Sequence, residues 1–255
     1  MTASPSRAFG RTPSRAFGTT GSRASGTTAV QPCMFDGATL RGDWPFGALE
    51  PWSFDLIMAD PPWRFELYSD KGEEKSPQAH YATMTLDELA ALPVSDLARD
   101  DCLLWLWATA PMLPQQIALG ERWGFRYVTS GAWVKRTVHD KVAFGTGYVL
   151  RNAHEPFLIM KRGDPKCARD VRSVIEAKVR EHSRKPDAAF RAAEKLMPWV
   201  LSEGGQKRDV RRLELFSRES RKGWAAWGNE CGKFNTTDGA SDVRTHPRLE
   251  RESEQ

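Results

Sequence analysis

From residue 54 onward, short apolar runs alternate with amphipathic stretches along the chain. Phe54-Asp55-Leu56-Ile57-Met58-Ala59 is a strand-length run halted by Pro61-Pro62, because proline lacks the amide that a central strand needs. A buried strand stopping at Asp60 is predicted. Thr85 precedes Leu86, Leu89, Ala90 and Leu92, with Glu88 three residues after it, the pattern of a capping box that opens a short helix. Cys102 to Trp107 is the next buried run, with Trp105 and Trp107 on one strand face by their spacing of two. Residues 112–123 carry Ile117, Leu119 and Trp123 and end at Gly124, a helix stop. Tyr127 to Val134 and Pro156 to Met160 read as strands. Lys185-Pro186-Asp187 opens a helix to about Leu196, and Leu213 to Phe216 and Trp224 to Trp227 are the last two strand candidates.

This alternation predicts an α/β fold, a mostly parallel central sheet with helices on both faces. Ligands of such open sheets bind beyond the carboxyl ends of the strands. Two loops are expected there: Asp60 to Trp63, and the segment after Phe216.

The ends of the chain differ from its middle. Residues 1–31 repeat Pro-Ser-Arg-Ala-Phe-Gly at Pro5 and Pro13, with a weaker echo from Gly21, and their composition predicts a disordered tail. Residues 32–232 form the expected domain, and residues 233–255 read as a second tail. The formal charge of +4 lies in the first tail, since Arg7, Arg11, Arg15 and Arg23 leave 37 − 4 = 33 basic residues against 33 acidic ones. Any grip on phosphate must then come from local clusters. Lys207, Arg208, Arg211 and Arg212, inside what looks like an insertion from Val200 to Arg212, are one such cluster or else a solvated loop. No run approaches the ~18 apolar residues of a spanning helix. Cys33, Cys102, Cys167 and Cys231 lack the paired spacing of a structural zinc site. A reduced, cytoplasmic protein without membrane or metal is expected.

The chemistry suggested by Asp60-Pro61-Pro62-Trp63 is transfer of a methyl group to an exocyclic amine. The lone pair of such an amine is delocalised into its ring, so the site must supply acceptors that localise it. The Asp60 carboxylate and the Pro61 carbonyl each can take one amine hydrogen. Prolines fix the loop and leave no amide hydrogens of their own to compete, and Trp63 can stack on an extracted base. A strand end followed by a rigid turn would leave the same residues without such a role.

Met58-Ala59-Asp60-Pro61-Pro62-Trp63 resembles the signature of the MTA-seventy-like adenine-N6 methyltransferases, the family of the catalytic subunit of the eukaryotic messenger-RNA adenine methyltransferase. Further blocks follow in family order: His80 to Met84, Leu103 to Trp107, Gly131 to Lys135, Gly147 with Glu155, Ser183 to Asp187, Leu213 to Arg218, and Trp227 to Glu230. The resemblance implies a Rossmann-like fold in permuted motif order, dependent on S-adenosyl-L-methionine. It implies that Asp60 and Lys185 contact that cofactor, that Arg218, Asn229 and Glu230 line its ribose and adenine near Glu214 and Leu215, and that Trp63 and Glu155 face substrate. The chain departs from the family where Ser217-Arg218-Glu219-Ser220-Arg221 replaces Gly-Arg-Pro-His-Asn, and where Glu230 replaces glutamine.

An adenine-N6 methyltransferase acting on nucleic acid is therefore expected, with DNA ahead of RNA because no RNA-targeting module precedes the domain and the architecture resembles prokaryotic and phage members. A non-catalytic nucleic-acid-binding subunit, or an amino-methyltransferase for another base, are the alternatives. The assembly state, homo- or hetero-dimer included, stays open. Residues 64–80, polar and next to the loop, read either as a closing element or as plain surface.

Overall fold

Strand β1 (Phe54–Ala59) stands near the middle of a seven-stranded sheet because every one of its residues is buried. In this computed structural model residues 44–63, 83–147, 149–180, 184–229 and 233 are described. The expected tail over residues 1–31, residues 32–43 of the expected domain, the second tail after residue 233, the 64–80 segment, His80 to Ala82, Ser183 and Glu230 lie outside them. Successive side chains of β1 point to opposite faces. Ile57 and Ala59 enter one core with Leu104, Leu106, Leu158 and Met160. Leu56 and Met58 enter the other, with Leu103, Trp105, Trp107 and Phe157. Burying a residue such as Leu104 contributes roughly 1.5–3 kcal/mol.

The sheet order is β5-β3-β4-β2-β1-β8-β9, built from β2 (Ala98–Trp107), β3 (Arg126–Arg136), β4 (His154–Arg162), β5 (Val174–Lys178), β8 (Arg212–Leu215) and β9 (Trp224–Trp227). Only β4 runs against the rest, pairing antiparallel with both β2 and β3. Helices α1 (Leu86–Ala91) and α2 (Leu113–Arg122) cover the first face through Leu89, Leu119 and Trp123. Helix α3 (Asp187–Leu196) covers the second through Ala189, Phe190 and Ala193. The expected mostly parallel sheet with helices on both faces is thus present.

Local chemistry explains the element ends. Thr85 Oγ1 accepts from the Glu88 amide at 3.2 Å while Glu88 Oε2 accepts from the Thr85 amide at 2.7 Å, closing the capping box. Gly124, at φ +83°, ends the turn after α2. The segment read as an insertion forms a small hairpin of β6 (Val200–Leu201) and β7 (Lys207–Arg208). Its cations are engaged: Arg208 binds Asp55, Arg211 reaches Glu50 at 2.9 Å, and Lys207 lies 4.3 Å from the Trp199 ring centroid. The hairpin therefore clamps the start of β1.

Chain order turns back between β1 and β8. From β1 the chain builds outward through β2 and on to β5, then returns to lay β8 on β1's other side. The carboxyl ends of β1 and β8 flank this switch point, the place where open α/β sheets bind ligands.

Candidate active site

Asp60 leaves β1 at that switch point, and its amide donates to the Leu215 carbonyl of β8 at 3.4 Å. Pro61 and Pro62 end the strand. The Trp63 amide donates to the Pro61 carbonyl and the Met84 amide to the Pro62 carbonyl, each at 2.9 Å. The prolines were expected to keep competing amide hydrogens away. Instead a tight turn spends one Pro61 lone pair on Trp63, and a carbonyl oxygen keeps a second. The Trp63 indole, 5% exposed, packs into the first core, so a stacking role requires the loop to release it.

Lys185, just ahead of α3, brings the site together. Its ammonium lies 2.9 Å from Asp60 Oδ2 and 2.6 Å from Glu155 Oε1, above the Trp107 ring at 5.2 Å. Glu155 Oε2 in turn meets Lys135 Nζ at 2.9 Å. The result is an alternating row, Asp60, Lys185, Glu155, Lys135, along the carboxyl edge of the parallel strands. Glu155 has both oxygens occupied by lysines, so here it positions Lys185 and does not face solvent as a free acceptor. Asp60 differs: among the described residues its Oδ1 has no partner, and its side chain is 32% exposed.

The electrostatics follow from burial and neighbours. Burial raises the Asp60 carboxyl above its ordinary range, with Lys185 opposing, Glu155 adding to the rise and Arg218 drawing it down. Burial also works against the Glu155 carboxylate, but Lys185 and Lys135 outweigh it and hold the group low. For Lys185 burial disfavours the cation, and the carboxylates of Asp60 and Glu155 overcome that and hold it charged, above the usual lysine range. Glu214 is buried and pushed up to about 8, against the Ser217 hydrogen bond that lowers it. Ser217 Oγ lies 2.9 Å from Glu214 Oε2 and 2.7 Å from the Glu219 carbonyl. One hydroxyl proton cannot serve both. With Glu214 protonated at neutral pH, the carboxylic acid can donate to Ser217 while Ser217 donates to Glu219.

The loop after β8 is tightly built. Phe216 adopts φ +62°, a strained conformation for a residue with a side chain. A Cβ on Gly228 would come within 2.5 Å of the Ser217 amide nitrogen and carbonyl oxygen, so only glycine lets β9's end approach this turn. Glu219 pairs with Arg184 and Arg221, and Asp187 accepts from Arg180 and Arg221 at 2.9 Å each. Arg221 also stacks 3.8 Å over the Phe190 ring. This strap ties the loop to the start of α3 and so fixes Lys185 relative to Asp60. Arg218 is half-buried and Asn229 exposed beyond β9.

Comparison with known proteins decides what this arrangement belongs to: the MT-A70 family model matches residues 54–230. The chain belongs to the MT-A70 family. It is 32% identical over 195 residues to the Type II methyltransferase M.MunI of Mycoplasma sp, a match covering 69% of this chain and 77% of that protein. It is 32% identical over 183 residues to the N(6)-adenosine-methyltransferase MT-A70-like protein of Arabidopsis thaliana, and 28% identical over 191 residues to the N(6)-adenosine-methyltransferase catalytic subunit METTL3 of Homo sapiens. These matches cover 70% and 72% of this chain, but it spans only 24% of the plant protein and 29% of the human one.

Within this MT-A70 domain, Asp60, Lys185, Glu155, Glu214, Leu215 and Arg218 gather at one edge of the sheet. Lys135, Ser217, Glu219 and Arg221 join them without having been assigned a role from sequence. Lys135 ends the Gly131 to Lys135 block, and its contact with Glu155 follows once Trp133 pairs with Glu155 across β3 and β4. The Glu219 and Arg221 strap lies in the loop where the chain departs from the family pattern, and its ion pairs tie that loop to the start of α3.

Proposed function

We propose that the chain is an adenine-N6 methyltransferase that uses S-adenosyl-L-methionine and acts on DNA in preference to RNA. The observation that carries this is Asp60, a half-open carboxylate at the switch point, one oxygen held by Lys185 and the other free among the described residues. The donor set suits a zwitterionic nucleoside: Lys185 for its carboxylate, Asp60 for its ammonium, and Glu214 with half-buried Arg218 and Asn229 for ribose and base. When bound, that group supplies a sulfonium methyl.

The chain's residues do the rest. Asp60 Oδ1 and the remaining lone pair of the Pro61 carbonyl accept the two hydrogens of the adenine amine, which turns its lone pair out of the ring and toward the methyl. Asp60, Lys185, Glu214, Arg218 and Asn229 would hold the methyl donor, whose sulfonium would be the leaving group as the amine nitrogen takes the methyl. The surplus amine proton passes to Asp60 or water. Glu155, backed by Lys135, holds Lys185 charged and in place. The DNA preference rests on M.MunI, whose name marks a Type II methyltransferase and most of whose length this chain covers.

The test is incubation with labelled S-adenosyl-L-methionine and a panel of single- and double-stranded DNA and RNA, read by nucleoside mass spectrometry. N6-methyladenine in DNA is the expected product, and Asp60→Ala should lose on the order of 10²–10³ in rate with little change in melting temperature. Methylcytosine as product, or wild-type turnover by the variant, would overturn the reading.

A further inference from the structure

The connection between β3 and β4 leaves the same edge of the sheet as the site. It starts at Lys135 and returns at Glu155, the two residues that end the charged row reaching Asp60. Its described residues are hydrogen-bonded to one another: the Ala143 amide donates to Lys135 and the Thr137 amide to Lys141, both at 2.8 Å, and the Gly145 amide to Asn152 at 2.9 Å. A Cβ on Gly147 would come within 2.0 Å of the Leu150 carbonyl, so the fold-back there depends on glycine. Yet this built loop points apolar side chains at water. Phe144 is 78%, Leu150 83% and Val149 93% exposed, with Val138 and Val142 also open. Clustered apolar exposure on a hydrogen-bonded segment marks a surface that is covered in the working state.

What covers it is indicated by charge and position. The loop carries Lys141 and Arg151 against a single acid, Asp140, with His139 and His154 beside them. The Arg151 guanidinium sits 5.1 Å from the Phe144 ring centroid, a cation backing an aromatic face. Aromatic faces and arginine planes stack on bases, cations meet phosphate, and apolar wedges open base steps. The loop springs from Lys135 and Glu155, which join Asp60 through Lys185.

We propose that the β3–β4 loop is a base-displacing arm for duplex DNA, with Phe144 as the wedge, Val149 and Leu150 beside it, and Arg151 and Lys141 on the adjoining phosphates. An enzyme that acts on a base within a duplex must extract it, and a wedge that fills the vacated stack favours the extracted state. The arm supplies that function, while the Asp60 site performs the transfer. This rests on the adenine methyltransferase reading above.

The experiment compares the full wild-type chain with Phe144→Ala on three oligonucleotides bearing one wild-type methylation site: a paired duplex, the same duplex with an abasic site opposite the target adenine, and the single strand. Unpairing costs least where the partner base is missing, so the variant should lose about tenfold in kcat/KM on the paired duplex and stay within about twofold of wild type on the other two. Affinity for S-adenosyl-L-methionine and melting temperature should not move. Equal losses on all three substrates, or no loss on the paired duplex, would overturn the arm while leaving the methyltransferase reading intact. Conversion of a wild-type dimer to monomers by Phe144→Ala in sedimentation would overturn it too, by making the arm an interface between copies. A wild-type chain that methylates none of the three would remove both readings.

Discussion

At the amino end of β1, each oxygen of Asp55 accepts from Arg208 at 2.7 Å, the Arg211 amide adds a bond at 2.9 Å, and the side chain is 2% exposed. At the carboxyl end of the same strand, Asp60 is held through one oxygen by a lysine and keeps its other oxygen open among the described residues. The first carboxylate is closed by a planar fork that matches it bidentately. The second is held by a single ammonium, which occupies one oxygen only. A carboxylate whose lone pairs are all engaged inside the chain serves the fold, and one left with a spare acceptor can serve a ligand.

The sharpest way to break this contrast is to remove the closed carboxylate. Asp55→Ala strands the Arg208 guanidinium and the Arg211 amide, and should cost about 3–5 kcal/mol of stability. Denaturant unfolding checks it. A midpoint as little changed as that expected for Asp60→Ala would mean that the two ends of β1 are not specialised as argued.

Removing the lysine at the open end should act on function. Lys185→Met takes away the cation between Asp60 and Glu155 while the strap through Arg184, Glu219 and Arg221 remains. Affinity for S-adenosyl-L-methionine should fall about tenfold by calorimetry, equivalent to about 1.4 kcal/mol. The Asp60 carboxyl, already raised by burial, loses the attraction that opposes the rise, so the acid limb of activity should move to higher pH. Unchanged affinity would detach Lys185 from the cofactor.

These two ends were not equally legible in the sequence. The open end was, because Asp60, the prolines and the Lys185 block carry local signatures, as do the Thr85 capping box and the stop at Gly124. The closed end was not: Asp55 and Arg208 meet across 153 positions, and nothing local to either announces the other. Strand β5 was missed although Ile175-Glu176-Ala177-Lys178-Val179 alternates, because the strand is short, pairs only with β3 and buries only Ile175 fully. Trp63 was read as facing a ligand, since the loop chemistry favoured it. The adjoining core, with Met84 bridged to it, took the indole instead. Local pattern therefore located the chemistry, while long-range pairing decided which charges were left open for it.

A third carboxyl group, Glu214, sharpens the comparison, being neither closed by a guanidinium nor open like Asp60. Burial pushes it up to about 8 from an ordinary 4.5. Because the folded value lies above the unfolded one, the folded state binds the proton more tightly, and its contribution to stability is fully present below about 4.5. That contribution is lost progressively as pH rises toward about 8. Glu214→Gln keeps the shape without the ionisation, so its melting temperature should lie near wild type at pH 4.5 and above it at pH 8.5, with a flatter slope between. Parallel pH profiles for the two proteins would mean that Glu214 is ionised in the fold, and that the hydroxyl of Ser217 donates to it at neutral pH instead of accepting from it.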